Sequence, residues 1–260
     1  MNRIKYRQNR LVTIFSSLAV LIVIALGCGS SDVQMELKSP EFQMASLKEK
    51  AAYERGQEIW LNSELGRNGR SCESCHHAGD MTNAYSYPKY KGILERVATL
   101  SLTHNFAVVN ENKGDPWVIG SDDANSLILF VKSLSNGRKV QMGWPREMRN
   151  QCIDQGKRLF FDTTLSTNGK SCNSCHIDGG KKQFTFNDQE VNSLKGIAAR
   201  YPKYSFRNQR LVTLEQEINY CITNYLDNDS ISLDDENIVA LVCYVTSLSE
   251  GKRVRVFPEY

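Results

Sequence analysis

With 260 residues and 41% hydrophobic content, the chain has ordinary globular composition and a length that suits one large domain or two small ones. Its 32 Lys and Arg against 29 Asp and Glu leave a formal charge of +3, and the charges are dispersed. Such a balance excludes a strongly basic nucleic-acid binder.

The amino terminus reads as a targeting segment. Arg3, Lys5, Arg7 and Arg10 precede an apolar run from Leu11 to Leu26, the n-region and h-region order of an export signal. Ala25-Leu26-Gly27-Cys28 resembles a bacterial lipoprotein cleavage box, so residues 1–28 are expected to be a signal peptide with lipid attachment at Cys28. An uncleaved membrane anchor is the competing reading, since about 16 apolar residues fall just short of a full span. Either places the folded part outside the cytoplasm. Residues 29–50 are polar and read as a tether.

From about Ala51 the chain repeats itself. Gly56, Leu65, Asn68, Gly69, Ser71, Cys72, Cys75 and His76 recur 100 residues later as Gly156, Leu165, Asn168, Gly169, Ser171, Cys172, Cys175 and His176. Later landmarks recur after 114 residues: Tyr87-Pro88-Lys89-Tyr90 becomes Tyr201-Pro202-Lys203-Tyr204, and Ser133-Leu134-Ser135 becomes Ser247-Leu248-Ser249. The second copy therefore carries an insertion soon after its motif. An internal duplication is expected, with domains at 51–144 and 145–260 meeting near Trp144-Pro145.

The repeated Cys-x-x-Cys-His is the attachment signature of c-type haem. The two thiols add to the haem vinyl groups and the adjacent His is placed to ligate iron. A zinc or dithiol reading of Cys-x-x-Cys is disfavoured by two such motifs at equivalent points behind an export signal. Two covalently attached haems are therefore expected, on Cys72, Cys75 and His76 and on Cys172, Cys175 and His176.

Each copy reads as helix, motif, loop, helix, loop, helix. The second opens with a helix over roughly Asn150 to Phe161. Thr213 and Gln216 then form a capping box for a helix whose Leu214, Ile218, Cys221, Ile222 and Tyr225 share one face. Closing helices are expected near Asp123–Leu134 and Asp235–Leu248. No strand pattern competes, so the expected class is all-α.

Each half resembles a class I cytochrome c domain, in which first and last helices cross above the haem; Gly56 and Gly156 suit such a crossing. More narrowly, Tyr201-Pro202-Lys203-Tyr204 followed by Thr213-Leu214-Glu215-Gln216-Glu217-Ile218-Asn219-x-Cys221 resembles the dihaem cytochromes of sulfur-compound oxidation, the Sox A subunit and the thiosulfate dehydrogenases. The resemblance covers about residues 51–258. It implies that Cys221 is the thiolate distal ligand of the second haem and the catalytic residue, with thiosulfate or a related sulfur compound as substrate. It also implies a small monohaem cytochrome subunit beside a redox partner that accepts electrons, in the periplasm. Departures are visible. Glu217 stands where those families usually carry Arg. The Cys-ligated haem lies in the second half, as in Sox A and unlike the thiosulfate dehydrogenases. Ala107 occupies the position matching Cys221 in the first half.

Cys221 has a plainer reading as a small buried hydrophobe. His104, aligned with Ile218 and one turn before Ala107, is the leading distal ligand of the first haem; Met81 and Met142 are alternatives. His77 is read as a surface neighbour of its motif. Cys152 and Cys243 lie on first and last helices that the resembled fold brings together, as a disulfide or as two buried thiols. Lys203, Arg207 and Arg210 precede the Cys221 helix and could draw an anion towards iron. Two functions of other classes compete: a pure electron-transfer lipoprotein, and a gas sensor with a labile sixth ligand.

Overall fold

The structure, a computed structural model, describes residues 40–186 and 189–258. The expected leader and Cys28 lie outside the described residues. Helix α1 spans Pro40–Leu61, α2 Leu100–Asn110 and α3 Asp122–Ser133; α4 spans Arg146–Phe161, α5 Leu214–Tyr225 and α6 Glu236–Ser247. Among the described helices none is long and apolar enough to cross a membrane.

The helix starts follow local chemistry. The Ser121 hydroxyl accepts from the Ala124 amide, and Asp122 and Asp123 place negative charge in the first turn of α3. Thr213 and Gln216 close the capping box of α5 at 3.4 and 3.0 Å. Asp235 caps α6 by accepting from Asn237 N at 2.7 Å.

Two helix crossings carry the core. Helix α1 packs on α3 where Gly56 meets Ser126, and α4 packs on α6 where Gly156 meets Ala240. At either glycine a Cβ would fall inside van der Waals contact of the facing carbonyl oxygen, so only glycine allows the approach. Leu127, Ile128, Phe130 and Val131 fill the first core with Trp60. Ile222, Ile238, Leu241, Val242, Tyr244 and Val245 fill the second with Phe160.

Two expectations are corrected. Residues 40–50, expected in the tether, form the first turns of α1, with Glu49 buried and bonded by the Tyr204 amide at 2.6 Å. The class is mostly helical rather than all-α, because three antiparallel hairpins of three-residue strands are present: β1 Lys89–Lys91 with β2 Arg96–Ala98, β3 Phe184–Phe186 with β4 Gln189–Val191, and β5 Lys203–Ser205 with β6 Arg210–Val212. Strands this short leave no periodic signal in sequence. The β5–β6 register repeats that of β1–β2, Lys89↔Ala98 becoming Lys203↔Val212.

The halves face one another closely. Val140 N donates to Lys252 O at 2.8 Å, and Val254 N to Arg138 O at 2.8 Å. Ser101 on α2 donates to Glu215 on α5 at 2.9 Å, and Asn125 Nδ2 to Leu211 O at 2.9 Å.

Candidate haem sites

Both Cys-x-x-Cys-His motifs fold as tight turns that bring the imidazole beside the thiols. His76 N donates to Cys72 O at 2.9 Å and His176 N to Cys172 O at 2.8 Å. Ser174 Oγ accepts from Ser171 N at 3.0 Å, and Ser74 Oγ from Ser71 N at 3.2 Å, closing each turn from the side. The first helix of each half lays an aromatic ring near the imidazole, Trp60 at 6.5 Å from His76 and Phe160 at 6.4 Å from His176.

The side chains across each motif differ. His104 on α2 is near enough to His76 for the His76 imidazole to oppose its protonation. Burial first, and then His76, pushes His104 down to about 4, so it is neutral. Its Nδ1 is buried without a hydrogen-bond partner. Met81 packs on the same apolar cluster as Cys72. Met142 does not: it is buried against Trp144, Cys152 and Cys243, which removes it from the first haem site.

Cys221 on α5 lies within electrostatic reach of Cys172 and Cys175. Burial first, then the Glu217 carboxylate, pushes its thiol up to about 12, so without iron it would hold its proton. Coordination to a metal reverses that preference, because a ligating thiol loses its proton outright. Tyr201 and Glu217 are hydrogen-bonded, and burial raises the Tyr201 phenol well above its ordinary range. Arg207 bonds Glu217 Oε1 at 3.2 Å and lies over the Tyr220 ring at 4.5 Å. Lys203 lies over the Tyr201 ring at 5.0 Å, and burial lowers its pKa. Arg207 thus lies within electrostatic reach of Cys221, and Lys203 of Glu217 on the same helix. Arg210 turns elsewhere: its Nη2 bonds Gly120 O at 2.6 Å and Asp122 at 2.7 Å, an engagement with the α3 end that takes it out of the anion group. His77 is exposed and meets Glu73 at 3.4 Å.

Cys152 and Cys243 are joined across α4 and α6, with Cα atoms 5.9 Å apart. The free cysteines among the described residues are the four motif thiols and Cys221. These residues fit a covalently held haem: paired thiols, an adjacent imidazole whose Nδ1 is buried and unpartnered at His176, and apolar walls around each motif. Sequence reasoning missed Glu49, which touches the Tyr204 backbone beside this site; it lay in the stretch taken for a tether.

A mostly helical chain with two such motifs beneath crossing helices defines a c-type cytochrome. The chain belongs to the SoxA/TsdA cytochrome c domain family, whose profile matches residues 55–140 and 155–254. The L-cysteine S-thiosulfotransferase subunit SoxA of Hydrogenobacter thermophilus is 27% identical over 211 residues, 78% of this chain and 80% of that protein. The thiosulfate dehydrogenase of Allochromatium vinosum is 30% identical over 106 residues, 39% of this chain and 38% of that protein. In fold, the chain is similar to a chain in the crystal structure of SoxXA from P. pantotrophus, with a TM-score of 0.70 at 19% identity, covering 86% of this chain and 81% of that one.

Proposed function

We propose that this protein is an exported, lipid-anchored cytochrome of the periplasm that holds two haems in two domains, 51–144 and 145–260, descended from one duplicated unit. It oxidises thiosulfate or a related sulfur compound at its second site. The haems, when bound, supply the electron-accepting chemistry. Cys72, Cys75 and His76 would hold the first, with His104 as a further ligand to its iron. Cys172, Cys175 and His176 hold the second, with Cys221 as its distal thiolate and reactive residue. The observation that supports this reading is Cys221 on α5, within electrostatic reach of Cys172, Cys175 and Arg207.

The chain's own residues would bind and orient an anion there. Lys203 and Arg207 supply positive charge, and Arg207 together with Tyr201 holds the Glu217 carboxylate. That pairing answers the apparent misfit of an acid where the resembled families carry Arg: the guanidinium reaches the same region from the β5–β6 hairpin. A redox partner would accept the electrons. A small monohaem cytochrome subunit is the expected companion, as the SoxXA likeness suggests.

The test is the haem-loaded protein beside Cys221→Ala. We expect a low-spin thiolate signal in electron paramagnetic resonance that disappears only in the variant. Thiosulfate-dependent reduction of a dye acceptor should fall by roughly a hundredfold or more, a loss of about 2.7 kcal/mol in transition-state stabilisation. Two imidazole- or Met-type signals unchanged by the substitution, with no thiosulfate activity in the wild type, would instead make the protein a pure electron carrier.

A further inference from the structure

A cavity of about 260 Å³ lies apart from both haem motifs, between the β1–β2 hairpin of the first half and helices α4 and α6 of the second. Its volume is far beyond what one water needs, so it has room for several waters or a small ligand. Arg96 enters it from β2 and Glu236 from the first turn of α6; Gln151 and Gln155 line the α4 wall, with Val97 and Val239 apolar between them.

The other half supplies an internal control. Arg210 occupies on β6 the register position that Arg96 occupies on β2, and each sends Nη2 to a backbone carbonyl, Gly120 O at 2.6 Å and Asp234 O at 3.0 Å. Both also bury Nε without a partner. The carboxylates differ. Asp122, in the first turn of α3, closes on Arg210 at 2.7 Å. Glu236, in the matching turn of α6, makes no ion pair among the described residues, and neither does Arg96. A guanidinium and a carboxylate therefore face one cavity without meeting, where the equivalent pair in the other half has closed. Two opposite charges held apart around a space of this size are complementary to a molecule carrying both charges on a short frame.

We propose that this cavity is a binding site for a free α-amino acid, its carboxylate on Arg96, its ammonium on Glu236, and its side chain against Val97 and Val239 within reach of the Gln151 and Gln155 amides. Because Tyr90, Arg96 and Val97 belong to one half and the remaining walls to the other, the bound amino acid ties the halves together. This site is independent of Cys221 and of the sulfur chemistry proposed above.

The test is calorimetric titration of the haem-loaded protein with L-alanine, L-glutamine and L-methionine, beside propionate and propylamine, which carry one charge each. At least one amino acid should bind and raise the unfolding midpoint with concentration, with both single-charge compounds at least tenfold weaker. Arg96→Gln and Glu236→Gln should each weaken binding at least tenfold while leaving the haem spectra unchanged. If Arg96→Gln does not fold, Glu236→Gln, at an exposed position, reads the same outcome. No heat with any of the three amino acids overturns the proposal; so does equal affinity for propionate, or binding that both variants retain.

Discussion

The two halves share helix crossings, motif turns and hairpin register, yet present different groups to the space beneath the crossing. Helix α2 offers His104 and Ala107; the matching turn of α5 offers Ile218 and Cys221. The scaffold needs only that a helix pass there, capped by Thr99 or Thr213 at its start. In the ligation proposed above, which atom would reach the iron is decided by one turn of side chains. A fold of this kind fixes a location, and the chemistry can then change without disturbing the glycine crossing that holds the helices together.

The same comparison separates the ways the halves are held. The second crossing carries the Cys152–Cys243 disulfide, and the first has Ala52 and Leu129 at the matching places, packed apolar. Closing a loop over a sequence separation of 91 restricts the unfolded chain by an amount worth about 4.6 kcal/mol in the loop-entropy model. Replacing both cysteines by Ser should therefore lower stability by about that much under denaturant unfolding. The second haem's spectrum should become the more heat-sensitive of the two. Equal loss at both haems would mean that the halves unfold as one unit and that the comparison ends at the core.

Glu49 gives a smaller, pH-dependent difference. Its counterpart in the second half is Arg149, which bonds Met142 O at 3.4 Å; Glu49 instead is buried beneath Tyr204 with Oε2 unpartnered. Burial raises its carboxyl from 4.5 to about 7, against the smaller opposing pull of the Tyr204 amide and Lys203. The folded protein thus holds this proton more tightly than the unfolded chain does. The stability it contributes is complete below about pH 4.5 and is lost as pH rises towards 7, roughly 3 kcal/mol across that window. Glu49→Gln keeps an acceptor for Tyr204 N and cannot ionise. Its stability should match wild type near pH 4 and exceed it near pH 8, by up to roughly 3 kcal/mol. Parallel pH–stability curves for the two proteins would show that Glu49 escapes to solvent when charged.

How much of this was legible follows from the type of signal. The α3, α5 and α6 helices each carry an apolar stripe and a capping residue, and all three lie within a residue or two of where the sequence put them. The β1–β2 and β5–β6 hairpins were invisible although their Tyr-Pro-Lys-Tyr stretches stood out, because strands of three residues give no alternation to read. The start of α1 was hidden for another reason: its polar surface makes residues 40–50 look like linker, and only the tertiary bond from Tyr204 buries Glu49. Arg207 and Arg210 look alike in sequence. Their partners, Glu217 in one case and Asp122 in the other, come from different elements, and no local pattern reports that.

The smallest expected effect concerns the Glu217 carboxylate. The Arg207–Glu217 pair is half-exposed on its Arg side, with 46% and 23% side-chain exposure, so breaking it should change stability by less than about 1 kcal/mol. Its consequence for an anion is larger than its consequence for folding. Glu217→Gln removes one negative charge close to Cys221 while the amide can still meet Arg207 and Tyr201. The local field then becomes more positive, with Lys203 and Arg207 no longer offset. We expect the KM for thiosulfate to fall several-fold at low ionic strength. That gain should shrink as added salt shortens the screening length to about 8 Å near physiological strength. The rate at saturating thiosulfate should stay close to wild type, since the charge acts on the anion's approach. An unchanged KM at low salt would place the anion's path away from α5, on a face of the second half that Arg207 does not reach.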